Sequence, residues 1–189
     1  MLRRDVILAG ANLMALAGSA NAAMAAPGNL SDAMGVVGEH VSTEDFVEIF
    51  QLYNKYCHAL DMGSGEAFAS TFTEDGEFTG GRPAGHANED RTPRKGREAL
   101  TQMGSRGGTR HFTANLVVTK TPEGAKGSCY LLLYNARTTP DSWVEVSVYD
   151  DTLVKTPQGW KFKKRVVWRD DDDITPFKPK PIPPAEKRG

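Results

Sequence analysis

The hydrophobic period of this sequence changes once, and that change constrains the fold more than any other feature. Between residues 46 and 60, apolar side chains recur at the spacing of a helix with one buried stripe. From residue 109 onward they alternate with polar side chains, which is the period of a half-buried strand. Turn-like segments at 121–124 and 156–159 separate the strand-like runs. Helices followed by neighbouring strands predict an α+β fold, in which the N-terminal helices lie on one face of a curved antiparallel sheet.

The individual elements follow from capping residues and periodicity. The first helix is expected to begin at the capping residue Ser42 and to end at Met62. Its expected buried stripe is Phe46, Phe50, Tyr53, Cys57 and Leu60. The second helix is expected to start at Ser64, to close at 74–76 and to bury Ala67, Phe68 and Phe72. The remaining predictions are a short strand at 77–79, a helix at 97–103, and strands at 109–118, 127–137, 143–155 and 160–168.

Both ends of the chain are expected to lie outside the folded domain. Residues 1–26 contain Arg3 and Arg4, an apolar stretch and small residues, which is the pattern of an export signal of the twin-arginine or the ordinary secretory type. The stretch is too short for a comfortable membrane span, so no span is expected in the mature protein, which would be periplasmic or secreted. We expect a flexible segment at 27–41, the domain at 42–169, and a tail rich in Asp and then in Pro and Lys at 170–189.

Composition excludes several classes of function. The net charge of −1 lacks the basic excess of nucleic-acid-binding proteins, so no nucleic-acid partner is expected. The histidines show no short ligand spacing, so no metal is expected, with a site at His86, Glu89 and Asp90 as the alternative. Cys57 and Cys129 are expected to be buried free thiols, with a bridge outside the cytoplasm as the alternative.

Four segments, in this order, carry a resemblance to a known family: YCHALD at 56–61, GEAFASTFTEDGEF at 65–78, RHFTANL at 110–116 and YDDTLVKTPQGWKFKKR at 149–165. Residues 43–169 resemble the SnoaL-like branch of the NTF2-like superfamily. The resemblance implies a cone-shaped fold, in which a bent antiparallel sheet encloses helices and leaves one deep, mainly apolar pocket. It also implies assembly into a homodimer or homotrimer.

The same resemblance implies a pair of catalytic residues. Family enzymes similar to scytalone dehydratase and to hexachlorocyclohexane dehydrochlorinase use a histidine as the base and an aspartate that orients it. The matching positions here are Asp61, after the first helix, and His111, in a strand. The dehydratase pattern also has a tyrosine where this chain has Leu60 and a second histidine where it has Asn135. The apparatus for removing a proton is therefore expected, whereas the full dehydratase pattern is not matched.

Local geometry favours Asp61 over the neighbouring His58 as the residue that faces the pocket. At about 100° per residue, His58 points with Lys55 and Gln51 toward the polar side of the helix. His111 shares its strand face with Thr113, Asn115 and Val117, a semi-polar face that suits a pocket. The opposite, more apolar face is expected to pack on other elements, and it carries Phe112, Ala114, Leu116 and Val118.

These observations predict a cofactor-independent lyase that acts on a small hydrophobic, and in particular aromatic, substrate. The reaction would eliminate water or halide, or cleave a carbon–carbon bond, for example with release of formaldehyde from lignin-derived aromatic diols. An isomerase or cyclase of the same family, or a non-catalytic ligand-binding module, is the alternative. The candidate substrate-binding residues are Tyr53, Tyr56, Asn135, Ser147, Tyr149 and Arg165. The tryptophans 143, 160 and 168 are expected in the core more than in the pocket.

Overall fold

The structure is a computed structural model that describes residues 37–80, 92–136 and 143–169. The predicted export segment, the tail at 170–189 and the loop with His86 lie outside the described residues. Residues 37–41 of the predicted flexible segment are described, and His40 forms a β-bridge with Thr119. The side chains of residues 143–145, including that of Trp143, also lie outside the description.

Helix α1 (Thr43–Asp61) is capped as predicted, since the backbone N–H of Asp45 donates to the Ser42 hydroxyl at 3.1 Å. Its buried residues are Ile49, Leu52, Tyr53, Tyr56, Cys57, Ala59 and Leu60. The prediction that Phe46 and Phe50 belong to the buried stripe is wrong, because they are 39% and 47% exposed. Phe50 lies beyond the edge of the buried arc, and Phe46 lies near the start of the helix, one turn before the first buried residue Ile49.

Helix α2 (Gly65–Ser70) is shorter than predicted, because strand β1 (Phe72–Thr79) begins where the helix was expected to continue. The backbone N–H of Phe162 donates to the Thr71 carbonyl at 3.0 Å, and Phe162 pairs with Phe72. Sheet pairing therefore overrides the helical pattern at this point. Phe68 and Phe72 are buried as predicted, whereas Ala67 is exposed.

Among the described residues, six strands form one sheet, in the order β2-β1-β6-β5-β4-β3. All neighbouring strands are antiparallel except β1 and β6, which are parallel. The elements after β1 are β2 (Arg94–Lys95), α3 (Gly96–Gly104), β3 (Thr109–Thr121), β4 (Gly124–Asn135), β5 (Trp143–Thr156) and β6 (Gly159–Arg169). The predicted α+β fold with a curved sheet around N-terminal helices is confirmed.

Strand β3 contains a bulge that exchanges its two faces. Its pairing with β4 shifts register between Ala114 and Val117, and Asn115 has a φ of 58°. Before the bulge, Phe112 is 57% exposed and Ala114 is exposed, so the prediction that their face packs on other elements is wrong there. Beyond the bulge Val118 is buried. His111 lies on the opposite face of the strand before the bulge, and Asp61 holds its side chain inward.

Candidate active site

Asp61 and His111 are in direct contact, although fifty positions separate them in the sequence. The Asp61 Oδ1 atom lies 2.5 Å from His111 Nδ1, and Oδ2 accepts the backbone N–H of His111 at 3.0 Å. The Thr109 hydroxyl also donates to Oδ1, at 3.2 Å. The side chains of His111 and Asp61 are 7% and 10% exposed. Asp61 thus fixes both the backbone and the ring of His111, and the ring bond leaves Nε2 as the proton-accepting nitrogen.

The end of α1 and the approach to β3 are packed directly on each other, which brings the two residues together. The Gly108 N–H donates to the Asp61 carbonyl at 3.0 Å. Gly107 has a φ of 56°, and a Cβ atom added to it would lie 2.8 Å from the backbone nitrogen of Gly63. Only glycine permits this approach, so the glycines around the helix end position the catalytic candidates.

A cleft of about 330 Å³ gives access to the pair. It lies between the second half of α1 and β3, and its lining includes both Asp61 and His111. The other lining residues are Asn54, Cys57 and His58 from α1, and Arg110, Phe112 and Thr113 from β3. His58 is exposed as predicted, yet it stands at the rim of the cleft that contains His111.

Behind His111 lies a fully buried cation in an aromatic box. The guanidinium carbon of Arg165 is 4.0–4.8 Å from four ring centroids, those of Tyr53, Tyr56, Tyr149 and Phe162. Its Nε and Nη2 atoms donate to the two oxygens of buried Asp151, at 2.7 and 2.6 Å. The Tyr53 hydroxyl also donates to Asp151. The ring of Tyr56 links this box to the pair, with its centroid 6.3 Å from that of His111.

Burial dominates the electrostatics of this region. It raises the pKa of the Tyr56 hydroxyl, and Arg165 opposes the rise. Burial also raises the pKa of Asp151, against the donated bonds of Arg165 and Tyr53. The Cys57 thiol, at the wall of the cleft, has its pKa raised to about 11 by burial. Tyr56 and Cys57 are therefore neutral at physiological pH.

Two buried polar atoms in the box have no hydrogen-bond partner among the described residues, namely Arg165 Nη1 and Tyr56 Oη. Buried donors are almost always paired in folded proteins, so these two atoms are candidates for contact with a ligand oxygen. This observation singles out Arg165 and Tyr56 among the predicted substrate-binding residues.

Of the other predicted binding residues, Tyr53 lies on α1, and three lie on the sheet. Tyr149 belongs to the aromatic box, and its neighbour on the same strand face, Ser147, is buried. Asn135 ends β4 directly opposite Thr109, close to the pair. None of the six predicted binding residues is among the residues that line the described cleft. Their contact with a substrate stays a prediction.

Sequence reasoning missed Asp151 and Thr109. Asp151 shares a buried strand face with Tyr149 and Leu153. A charged residue on an otherwise apolar face needs a partner, and this was the signal that the sequence offered. Thr109 gave no signal, because its contact with Asp61 depends on how the loop before β3 packs. Of the tryptophans, Trp160 is buried and its indole N–H donates to Asp45 at 2.8 Å.

A second, larger cleft of about 480 Å³ lies on the other side of α1, against α2 and the start of β6. It contains Lys55 and Lys161, and burial together with Lys55 lowers the pKa of Lys161. Neither Asp61 nor His111 lines it, so the smaller cleft is the candidate active site. In the described part of the chain, no group of three or more His, Cys, Asp or Glu side chains is placed to hold a metal. Cys57 and Cys129 are buried free thiols.

Comparison with known proteins places the chain in a family. A sequence profile of the SnoaL-like domain matches residues 41–166. The chain belongs to the SnoaL-like family. The match spans nearly all of the domain predicted at 42–169. No curated protein sequence matches this SnoaL-like chain, and none of its described helices is long and apolar enough to cross a membrane.

Solved structures show the same fold. An NTF2-like protein with a cystatin-like fold from Novosphingobium aromaticivorans is 26% identical, with a TM-score of 0.59 over 69% of the SnoaL-like chain and 85% of its own length. Aln2 from a Streptomyces species is 26% identical, with a TM-score of 0.58 over 70% and 96%. A protein of unknown function from Nostoc punctiforme is 22% identical, with a TM-score of 0.58 over 72% and 98%. The fold is therefore NTF2-like, also described as cystatin-like.

Proposed function

We propose that this SnoaL-like protein is a cofactor-independent lyase in which His111 removes a proton from a small hydrophobic, aromatic substrate. The observation that carries the proposal is the contact between Asp61 and His111 at the wall of an open cleft. With Nδ1–H donated to Asp61, the Nε2 atom of His111 is the free base. It has no hydrogen bond within the described part of the chain, so a substrate proton can take that place.

His111 and Asp61 have different roles in the proposed reaction. His111 Nε2 accepts a proton from a C–H or O–H group, and the Asp61 carboxylate stabilises the imidazolium that forms. In an elimination, the electron pair of the broken C–H bond forms a double bond while hydroxide or halide leaves. In a carbon–carbon cleavage, deprotonation of a hydroxyl releases an aldehyde such as formaldehyde. The electron pair left on carbon then takes the proton back from His111.

Arg165 and Tyr56 are proposed to receive a substrate oxygen that gains negative charge. Their unpaired donor atoms are buried, and the ring centroid of Tyr56 lies 6.3 Å from that of His111. A preorganised donor in a dry site stabilises developing charge more than water does. Tyr53 has its hydroxyl engaged by Asp151, so its proposed part is to hold that carboxylate. Asn135, Ser147 and Tyr149 remain proposed contacts.

The outer face of the sheet supports the proposal of a homodimer or homotrimer. We call it the outer apolar patch, and it consists of Phe112, Tyr130, Leu132 and Val146, which are 39–57% exposed. Leu132 lies directly between Phe112 and Val146 on neighbouring strands. Contiguous exposed apolar surface is typical of protein interfaces, and a second copy of this chain is the proposed occupant. Export from the cytoplasm, predicted from residues 1–26, is part of the proposal.

Mass spectrometry of candidate reactions tests the function. Lignin-derived aromatic diols and hydroxylated or halogenated cyclic compounds are incubated with the wild type, with His111→Ala and with the control His40→Ala. The control histidine pairs with Thr119, at the other end of β3. We expect turnover by the wild type and the control, and a loss of at least about a hundredfold in kcat for His111→Ala.

The product mass separates the alternatives. A lyase product lacks the mass of water, hydrogen halide or formaldehyde, whereas an isomerase or cyclase product keeps the mass of its substrate. Unchanged turnover in His111→Ala, with its fold verified by circular dichroism, would refute His111 as the base. Binding without conversion of any bound compound would favour the non-catalytic module.

A further inference from the structure

The cleft that contains Asp61 and His111, called the dyad cleft below, carries polar groups at its mouth that the proposed proton transfer does not use. Arg110 is exposed, and its Nη1 atom donates to the Thr109 carbonyl at 2.6 Å. It forms no ion pair with a carboxylate among the described residues. His58 faces the same cleft from α1, and its exposed ring likewise has no ion pair in the described chain. Asn54 adds an amide to this rim.

The cation and the anion that line the cleft, Arg110 and Asp61, do not pair with each other. Asp61 is the only carboxylate among the lining residues, and both of its oxygens already accept hydrogen bonds from His111, one of them also from Thr109. A molecule entering the cleft meets an unpaired guanidinium and an imidazole, but no unpaired carboxylate among the described residues. The guanidinium of Arg110 therefore favours an anionic group beside it. A guanidinium also offers parallel N–H donors that match the two oxygens of a carboxylate.

Apolar surface lies next to this charge. Cys57 and Thr113 line the cleft with Arg110, whereas Phe112, which also borders it, belongs to the outer apolar patch. A ring that bears an acidic group can thus pack against Cys57 and Thr113 and place the acid against Arg110. His111 lines the same cleft, so the reacting part of such a molecule would lie close to its ring.

We propose that Arg110 is a specificity-determining residue that binds a carboxylate of the substrate at the mouth of the cleft. The substrate class is then small aromatic carboxylic acids, held by Arg110 with support from His58 and Asn54. This inference rests on the proposed function, because it takes the dyad cleft as the place where the substrate reacts. Arg110 takes no part in proton transfer, and it selects which molecules reach His111.

Benzoate and benzamide are the probes that test the proposal, because they have nearly the same shape and differ in charge. Their binding to the wild type, Arg110→Gln, Arg110→Lys and Arg97→Gln is measured by NMR titration at constant ionic strength. Arg97 is the control, since it lies on α3 and pairs with Glu74 at 3.6 Å, away from the cleft. We expect the wild type and Arg97→Gln to bind benzoate about tenfold more tightly than benzamide. In Arg110→Gln the ratio falls to near one, and Arg110→Lys keeps part of it.

Three outcomes would overturn the proposal: no binding of benzoate, equal binding of both probes by the wild type, or a ratio that Arg110→Gln leaves unchanged. Binding of these probes requires no turnover, so the test is separate from that of the proposed function. A benzoate preference that depends on Arg110, together with full turnover in His111→Ala, would refute the proposed base and leave the carboxylate site standing. Loss of turnover in His111→Ala with no benzoate preference would support the proposed base and refute the carboxylate site.

Discussion

Replacement of Asp151 by asparagine leaves the guanidinium of Arg165 buried without its counter-charge. In the folded protein both side chains are 0% exposed, and Arg165 donates to the two carboxylate oxygens at 2.7 and 2.6 Å. Removing one partner of such a pair costs about 3–5 kcal/mol, because the remaining charge loses its compensation in a dry environment. Asparagine keeps one acceptor oxygen, so we expect the lower end, about 3 kcal/mol in the free energy of unfolding.

Urea unfolding followed by tryptophan fluorescence measures this loss. With a slope of about 2 kcal/mol per molar urea, the midpoint is expected to fall by about 1.5 M with an unchanged slope. Asp150→Asn is the matched control at the adjacent position, where the carboxylate is partly exposed and pairs with Lys126 at 3.3 Å. The control should lose about 0–1 kcal/mol.

A loss in Asp151→Asn no larger than that of the control would refute the reasoning. A double replacement adds a second check, since it removes both charges at once. Asp151→Leu with Arg165→Met should be more stable than Asp151→Leu alone, because no uncompensated charge remains in the core. A double variant that is less stable than this single variant would show that the aromatic box, and not the ion pair, dominates.

Two further predictions concern the cleft and the outer apolar patch. Burial raises the pKa of Cys57 from 9.0 to about 11. Its thiolate fraction at pH 8, and with it the rate of alkylation by iodoacetamide, should therefore be about a hundredfold below that of an exposed thiol. The rate should rise as the pH approaches 11. Measured in a Cys129→Ser background, a rate equal to that of free cysteine would contradict this. Leu132→Glu should convert the homo-oligomer to a monomer, as measured by light scattering. Val47→Glu changes an exposed valine of α1 and should leave the oligomer intact. A monomeric wild type would refute the proposed interface.

Local sequence patterns predicted most helices and strands of this fold, because caps, periodicity and turns depend on residues close together in the chain. The cap at Ser42, the alternation in β3 to β6 and the turns between them are all local properties, and the strands lie where the pattern placed them. The pattern failed where distant pairing competed with it. Phe72 fits a helical stripe, yet pairing with Phe162 draws it into β1.

The candidate site was predictable only in part. The resemblance named Asp61 and His111, and a helical projection placed His58 outside. No local pattern showed the bulge at Asn115, because a bulge depends on the register between two strands. The face that Phe112 presents was therefore assigned wrongly. The pairing of Arg165 with Asp151 was also hidden, since the two residues meet across strands β6 and β5.

By itself, the sequence determined the class of fold, the capped helix that ends at Asp61, and the presence of a histidine and an aspartate suited to proton transfer. The tertiary structure decided which groups meet. It packed the loop at Gly107 on the helix end, so that Asp61 holds His111. It also enclosed Arg165 with Asp151 and left one guanidinium nitrogen without a partner among the described residues. Hydrogen bonding and burial between residues far apart in the chain depend on packing, and no local periodicity encodes packing.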